Sequence, residues 1–164
     1  MQQLIADYAL QSHPEGGYFR ETYRAETKLP GTDRSVCTAI YYLLPAGQRS
    51  RLHRIDADEL WHFYRGDPLL IVELRADGPA KVTSLSADHP QHLVPAGTWF
   101  GALPAEGSKW SLVGCTVAPG FVFDNARDGR EFATWIDANT AKIREEAEAT
   151  SSIAKLTYID HYLS

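Results

Sequence analysis

Gly47-Gln48-Arg49-Ser50-Arg51-Leu52-His53-Arg54-Ile55-Asp56-Ala57-Asp58-Glu59-Leu60-Trp61-His62-Phe63-Tyr64-Arg65-Gly66 is the stretch from which the fold is read. A His, a Glu six residues on and a closing Gly describe a pocket carried on strands of a β-barrel. Simple alternation from Glu59 puts Glu59, Trp61 and Phe63 on one face and Leu60, His62 and Tyr64 on the other. With the first face inward, a carboxylate stands at the mouth above an aromatic floor. Such surroundings raise a carboxyl pKa and suit the group to general acid or base work. The plainer role for Glu59 is a solvated strand end or a partner for Arg51 or Arg54. His53 offers a neutral imidazole as metal ligand or as acid and base, against a purely structural hydrogen bond. His62 falls on the face opposite Glu59, which reads as core or interface unless both faces are enclosed.

Upstream, His13-Pro14-Glu15-Gly16-Gly17 reads as a turn, since Pro fixes one dihedral and the Gly pair tolerates unusual ones. It leads into a strand with Tyr18, Arg20, Thr22 and Arg24 on one face and Phe19, Glu21 and Tyr23 on the other. Arg20 is suited to clamp a carboxylate or phosphate bidentately, or to pair with Glu21. Tyr23 or Tyr18 supplies a phenolic proton in such a site, or simply packs. Downstream, Gln91 and His92 point opposite ways on a strand, so one of them reaches the pocket: Gln91 through its amide, or His92 through a ring nitrogen. Trp99 follows the Pro95-Ala96-Gly97 turn.

Working outward, strand-like runs recur with Gly and Pro turns between them: Ser35 to Leu44, Leu60 to Tyr64, Leu69 to Leu74, Lys81 to Leu85, Gln91 to Val94, Trp99 to Leu103 and Trp110 to Val117. Leu60 to Tyr64 and Leu69 to Leu74 are expected to form a hairpin across Arg65-Gly66-Asp67-Pro68. The pattern predicts an all-β sandwich or jelly roll with helix only at the ends. Leu4 to Gln11 reads as a short helix. Residues from about 129 to 150 hold Ala, Glu, Lys, Ile and Arg with no Gly or Pro after the first of them, and read as a longer one.

A length of 164 residues fits one domain with a sizeable core. The net charge of −5 excludes the basic footprint of a nucleic-acid binder. No apolar run approaches membrane-spanning length, and the N-terminus lacks a basic and then apolar leader, so a cytoplasmic address is expected. Cys37 and Cys115 lie in apolar strand-like runs and read as buried free thiols. Six Phe, eight Tyr and four Trp are enough to line a small-molecule pocket.

The chain resembles the DUF985, or cupin-5, family of the cupin superfamily. The likeness rests on His13-Pro14-Glu15-Gly16-Gly17-Tyr18-Phe19-Arg20-Glu21-Thr22-Tyr23, on Asp58 to Gly66, on Val94-Pro95-Ala96-Gly97-Thr98-Trp99, and on Val113 to Phe121. It implies a double-stranded β-helix, a homodimer and no settled reaction. The general cupin pattern supplies a His-x-His step, a Glu and a later His. Here His53 and Glu59 match, whereas Ile55 and Phe100 replace the other two. No cofactor is therefore expected, with a divalent metal on His53, Glu59 and His92 as the alternative. The chain is also distantly similar to the metal-free sugar-nucleotide 3,5-epimerases.

These readings assemble one expected site. His53, Glu59, His62 and Tyr23 are its proton-transfer groups. Arg20, Arg51, Trp61, Phe63, Gln91 and Trp99 are its ligand contacts. The expected function is isomerase-like proton transfer on an anionic carbonyl compound, against a non-catalytic binding module or a metal-dependent cupin.

Overall fold

The computed structural model describes residues 1–74 and 80–122. The helix expected over about 129–150 lies outside the described residues. Helix α1 (Gln2–Asp7) precedes ten strands: β1 (Gln11–Ser12), β2 (Tyr18–Arg24), β3 (Thr38–Pro45), β4 (Ser50–His53), β5 (Asp58–Gly66), β6 (Leu69–Leu74), β7 (Lys81–Leu85), β8 (Gln91–Val94), β9 (Trp99–Pro104) and β10 (Trp110–Ala118). They form two antiparallel sheets, ordered β1-β2-β3-β10-β5-β8 and β4-β9-β6-β7. The all-β expectation holds. Among the described residues the architecture is a two-sheet sandwich rather than a closed barrel, since no ladder there joins one sheet to the other.

Two local expectations are corrected. β5 and β6 do not make a hairpin; they belong to different sheets. Between them Gly66 takes φ +95°, and the Asp67 N–H donates to the Trp110 carbonyl at 2.9 Å. The chain therefore turns a corner from sheet to sheet instead of folding back. The second is β4, a strand that was not among the runs expected from the sequence. Leu52 and His53 are buried on it, with His53 opposite Phe100 of β9.

The inner faces meet in a core of Tyr42, Leu44, Trp61, Leu69, Ile71, Leu85, Val94, Phe100, Ala102, Val113 and Cys115. Their alternation along β3, β5, β6 and β10 is why they converge there. Leu10, Leu43 and Leu112 make a smaller cluster under α1, with Leu4, Ile5 and Tyr8 packed against it. Cys115 is a buried free thiol and Cys37 a half-buried one.

Candidate functional site

The first wall of the site is the turn before β2. Gly16 (φ +107°) and Gly17 (φ +74°) hold dihedrals that side-chain-bearing residues rarely adopt. A Cβ on Gly16 would also run into the Arg49 carbonyl, and one on Gly17 would stand 2.7 Å from the Leu43 carbonyl. The Gly pair thus lets the turn lie flat on β3 and β4. The His13 N–H donates to the Gly17 carbonyl at 3.0 Å, the Gly17 N–H to Gln48 Oε1 at 3.0 Å, and the Arg51 N–H to the Glu15 carbonyl at 2.9 Å. Tyr42 Oη donates to the Gly16 carbonyl at 2.7 Å. These bonds bring His13 and Glu15 over β4.

A cleft of about 560 Å³, counted to include its open mouth, lies between this turn and the inner faces of β2, β3, β4, β5 and β10. Its polar lining is His13, Glu15, Glu21, Thr38, Ser50, His53, Glu59 and Cys115. Phe19, Ile40, Tyr42, Trp61, Val117 and Phe121 give the apolar walls.

Alternation on β5 puts Glu59 and Trp61 into the cleft as expected. Glu59 is buried, and burial raises its pKa to about 7. The charge of His53 and a hydrogen bond from Cys115 pull it back, and Glu15 adds to the rise. Glu15 is also raised, by burial first, against the charges of His53 and Arg51. His53 Nδ1 lies 2.6 Å from the Arg51 carbonyl and 3.4 Å from Glu15 Oε2. A carbonyl only accepts, so Nδ1 carries the hydrogen and Nε2 is the basic atom of the neutral ring. His13 is the converse: its Nδ1 accepts from the Glu15 N–H at 3.1 Å, and burial lowers its pKa to about 4. It is neutral at pH 7 and lies edge-on to Phe19, centroids 4.6 Å apart.

The other expected residues stand elsewhere. A bulge between Glu21 and Tyr23 sets Tyr23 opposite Ala39 rather than Thr38, so Tyr23 leaves the inner face and is 55% exposed. Arg20 turns outward over the Tyr41 ring, 5.3 Å from its centroid. Arg51 is exposed and reaches the cleft only as backbone and as a charge acting on Glu15. His62 is on the outer face, with Nε2 3.0 Å from Thr116 Oγ1 and Nδ1 3.2 Å from Gln91 Nε2, which places Gln91 outside too. Phe63 packs against the core without lining the cleft, and Trp99 lies under Arg54, 5.1 Å from its guanidinium carbon. His92 does point inward, but its Nε2 is 2.8 Å from Glu73 Oε2, with Lys81 Nζ 3.1 Å from the same oxygen.

Six polar groups of the cleft escaped sequence reading: His13, Glu15, Glu21, Thr38, Ser50 and Cys115. The first two lay in a stretch denser in polar groups than a plain turn needs, which was the available signal. Ser50 and Cys115 carried none, because Cys115 sits in an apolar run and Ser50 beside a turn.

The comparisons with known proteins fit this picture. The family model described as cupin superfamily (DUF985) matches residues 2–127. The chain belongs to that family. It is 29% identical over 147 residues to the uncharacterized protein YML079W of Saccharomyces cerevisiae, covering 76% of this chain and 73% of that one. Among solved structures, protein SO0799 from Shewanella oneidensis is 39% identical with a TM-score of 0.70, over 76% of this chain and 80% of that one. A hypothetical protein from Leishmania major is 29% identical with a TM-score of 0.67, over 81% and 92%.

Many cupins hold a metal, so the donors present were weighed against that role. His53 and Glu59 both face the cleft, but Ile55 and the fully buried Phe100 stand where the pattern has its other two ligands. The Phe100 ring lies on His53, centroids 4.3 Å apart. His92 is held by Glu73. Among the described residues no three His, Cys, Asp or Glu side chains group around one ion position. The donors do not fit the pattern's four-ligand centre. No helix among the described residues is long and apolar enough to cross a membrane.

Proposed function

We propose that the cleft carries out proton transfer on a small carbonyl compound, moving a hydrogen between carbons or between the two faces of one carbon. The observation that carries this reading is the pairing of a buried, proton-holding Glu59 with His53, whose Nδ1 is committed to the Arg51 carbonyl. A carboxyl raised by burial can serve as acid, and an imidazole whose Nδ1 hydrogen is held by a carbonyl presents Nε2 as base. His53 Nε2 takes the proton from the carbon beside the carbonyl. Glu59 donates its proton to the carbonyl oxygen, so an enol forms without a free enolate charge. Return of the proton from His53 at the other position, with Glu59 recovering its own, completes an isomerisation. Glu15 offsets the imidazolium charge that develops on His53, and Cys115 orients the Glu59 carboxyl by its hydrogen bond.

A second reading is a binding module without turnover. The apolar walls of Phe19, Ile40, Trp61, Val117 and Phe121 favour it, because they bind a ligand whether or not chemistry follows. Solvent exchange separates the two. The protein is incubated in deuterium oxide with simple ketones, and carbon-bound deuterium is followed by NMR. Proton transfer predicts protein-dependent exchange that falls by about 100-fold in His53→Ala and Glu59→Gln. Ligand-observed binding with no exchange above buffer favours the binding module.

A further inference from the structure

We infer that the cleft takes an uncharged carbonyl compound with a short apolar arm and rejects its carboxylate-bearing counterpart. This rests on the proton-transfer reading and names the substrate class for the same site. It also replaces the anionic substrate expected from the sequence.

The charge arrangement is the first ground. Glu15, Glu21 and Glu59 all line the cleft, while no Lys or Arg is among its described lining residues. The nearby arginines are committed elsewhere. Arg24 holds Glu21 through two bonds of 2.8 and 2.7 Å, and Arg34 holds Asp56 through two of 2.8 Å. Arg20 lies on Tyr41 at the outer face. Arg51 is exposed, and its charge reaches the cleft only through Glu15. An incoming carboxylate would give up its hydration with no guanidinium or ammonium among the described lining residues to receive it.

The second ground is an unmatched donor. Trp61 is 1% exposed and lines the cleft, and its indole N–H makes no hydrogen bond among the described residues. A buried donor of this kind is stabilised by an acceptor, which a neutral carbonyl or ester oxygen supplies. The third is the wall itself. Ile40, Val117 and Phe121 offer apolar contact to an arm of a few carbons. A cationic arm is disfavoured in turnover rather than in binding: its charge would draw the proton off Glu59, and that proton is the acid of the reaction.

The test uses three forms of one ketone: methyl levulinate, levulinate and levulinylcholine. Binding is read by saturation-transfer NMR and turnover by deuterium exchange. The inference predicts that methyl levulinate binds tighter than levulinate by about ten-fold or more, and exchanges deuterium faster than levulinylcholine. Levulinate binding as well as the methyl ester overturns it, as do levulinylcholine exchanging as fast as the methyl ester and failure of all three to bind. If the ester binds in preference but none of the three exchanges deuterium, the substrate class stands and the proton-transfer reading fails. If all three exchange equally, the reading stands and the charge selection fails.

Discussion

Glu15 Oε2 stands 3.4 Å from His53 Nδ1, the same nitrogen that donates to the Arg51 carbonyl at 2.6 Å. The turn before β2 is thus part of the site, because its fold sets the partner of the imidazole. A neutral ring in this position has one tautomer, and an imidazolium has a carboxylate beside it.

Glu15→Gln keeps the shape of the side chain and removes that charge. Deuterium exchange catalysed by the protein should fall by about ten- to 100-fold while the circular dichroism spectrum is unchanged. An undiminished rate in the folded variant would separate Glu15 from the chemistry.

The displaced pKa values of Glu59 and His13 give stability contributions with opposite pH dependence. Folded Glu59 keeps a proton between pH 4.5 and about 7 that the unfolded chain has released, so its contribution is full below 4.5 and is lost as pH rises to 7. His13 is depressed from 6.5 to about 4, so its contribution is present above 6.5 and is lost as pH falls to 4. Glu59→Gln removes only the first. Its stability relative to the parent should rise by roughly 3 kcal/mol between pH 4.5 and pH 7 in urea titrations. A difference independent of pH would remove Glu59 as a raised carboxyl.

Gly17→Ala places a methyl group against the Leu43 carbonyl and the Leu44 side chain at φ +74°. A loss of roughly 2–4 kcal/mol is expected on thermal or urea unfolding. A near-neutral substitution would mean that the turn does not lie on β3 as described.

The Glu73–His92 pair is a second polar cluster across the core from the cleft, tying β6 to β8. His92→Ala leaves a buried carboxylate with only the half-exposed Lys81, a loss of roughly 3 kcal/mol. Replacing both Glu73 and His92 by Leu should restore much of it, since an apolar pair needs no partner. If the double variant is less stable than His92→Ala, the pair carries more than its own compensation.

Much of this was legible beforehand, and the failures have physical causes. Period-two alternation placed Glu59 and Trp61 inward and His62 outward, because β5 is regular where those residues lie. The same rule failed on β2, where one extra residue at the bulge turned Tyr23 outward. Turn chemistry marked the break after Gly66 but not its geometry. A hairpin and a corner between sheets use similar residues, and only the Trp110 carbonyl that receives the Asp67 N–H distinguishes them. Arg20 looked like an anion clamp because charge and reach are visible in sequence, whereas the Tyr41 ring that holds it outward comes from β3. Glu15 and Cys115 meet Glu59 only through tertiary contacts between distant strands.

The most direct measurement is a carbon-13 NMR titration of the glutamate side-chain carboxyls, with Glu59 assigned by its Gln variant. The account predicts a Glu59 midpoint near 7, well above the ordinary 4.5. A midpoint in the ordinary carboxylate range would contradict it, because Glu59 would then hold no proton to give at neutral pH.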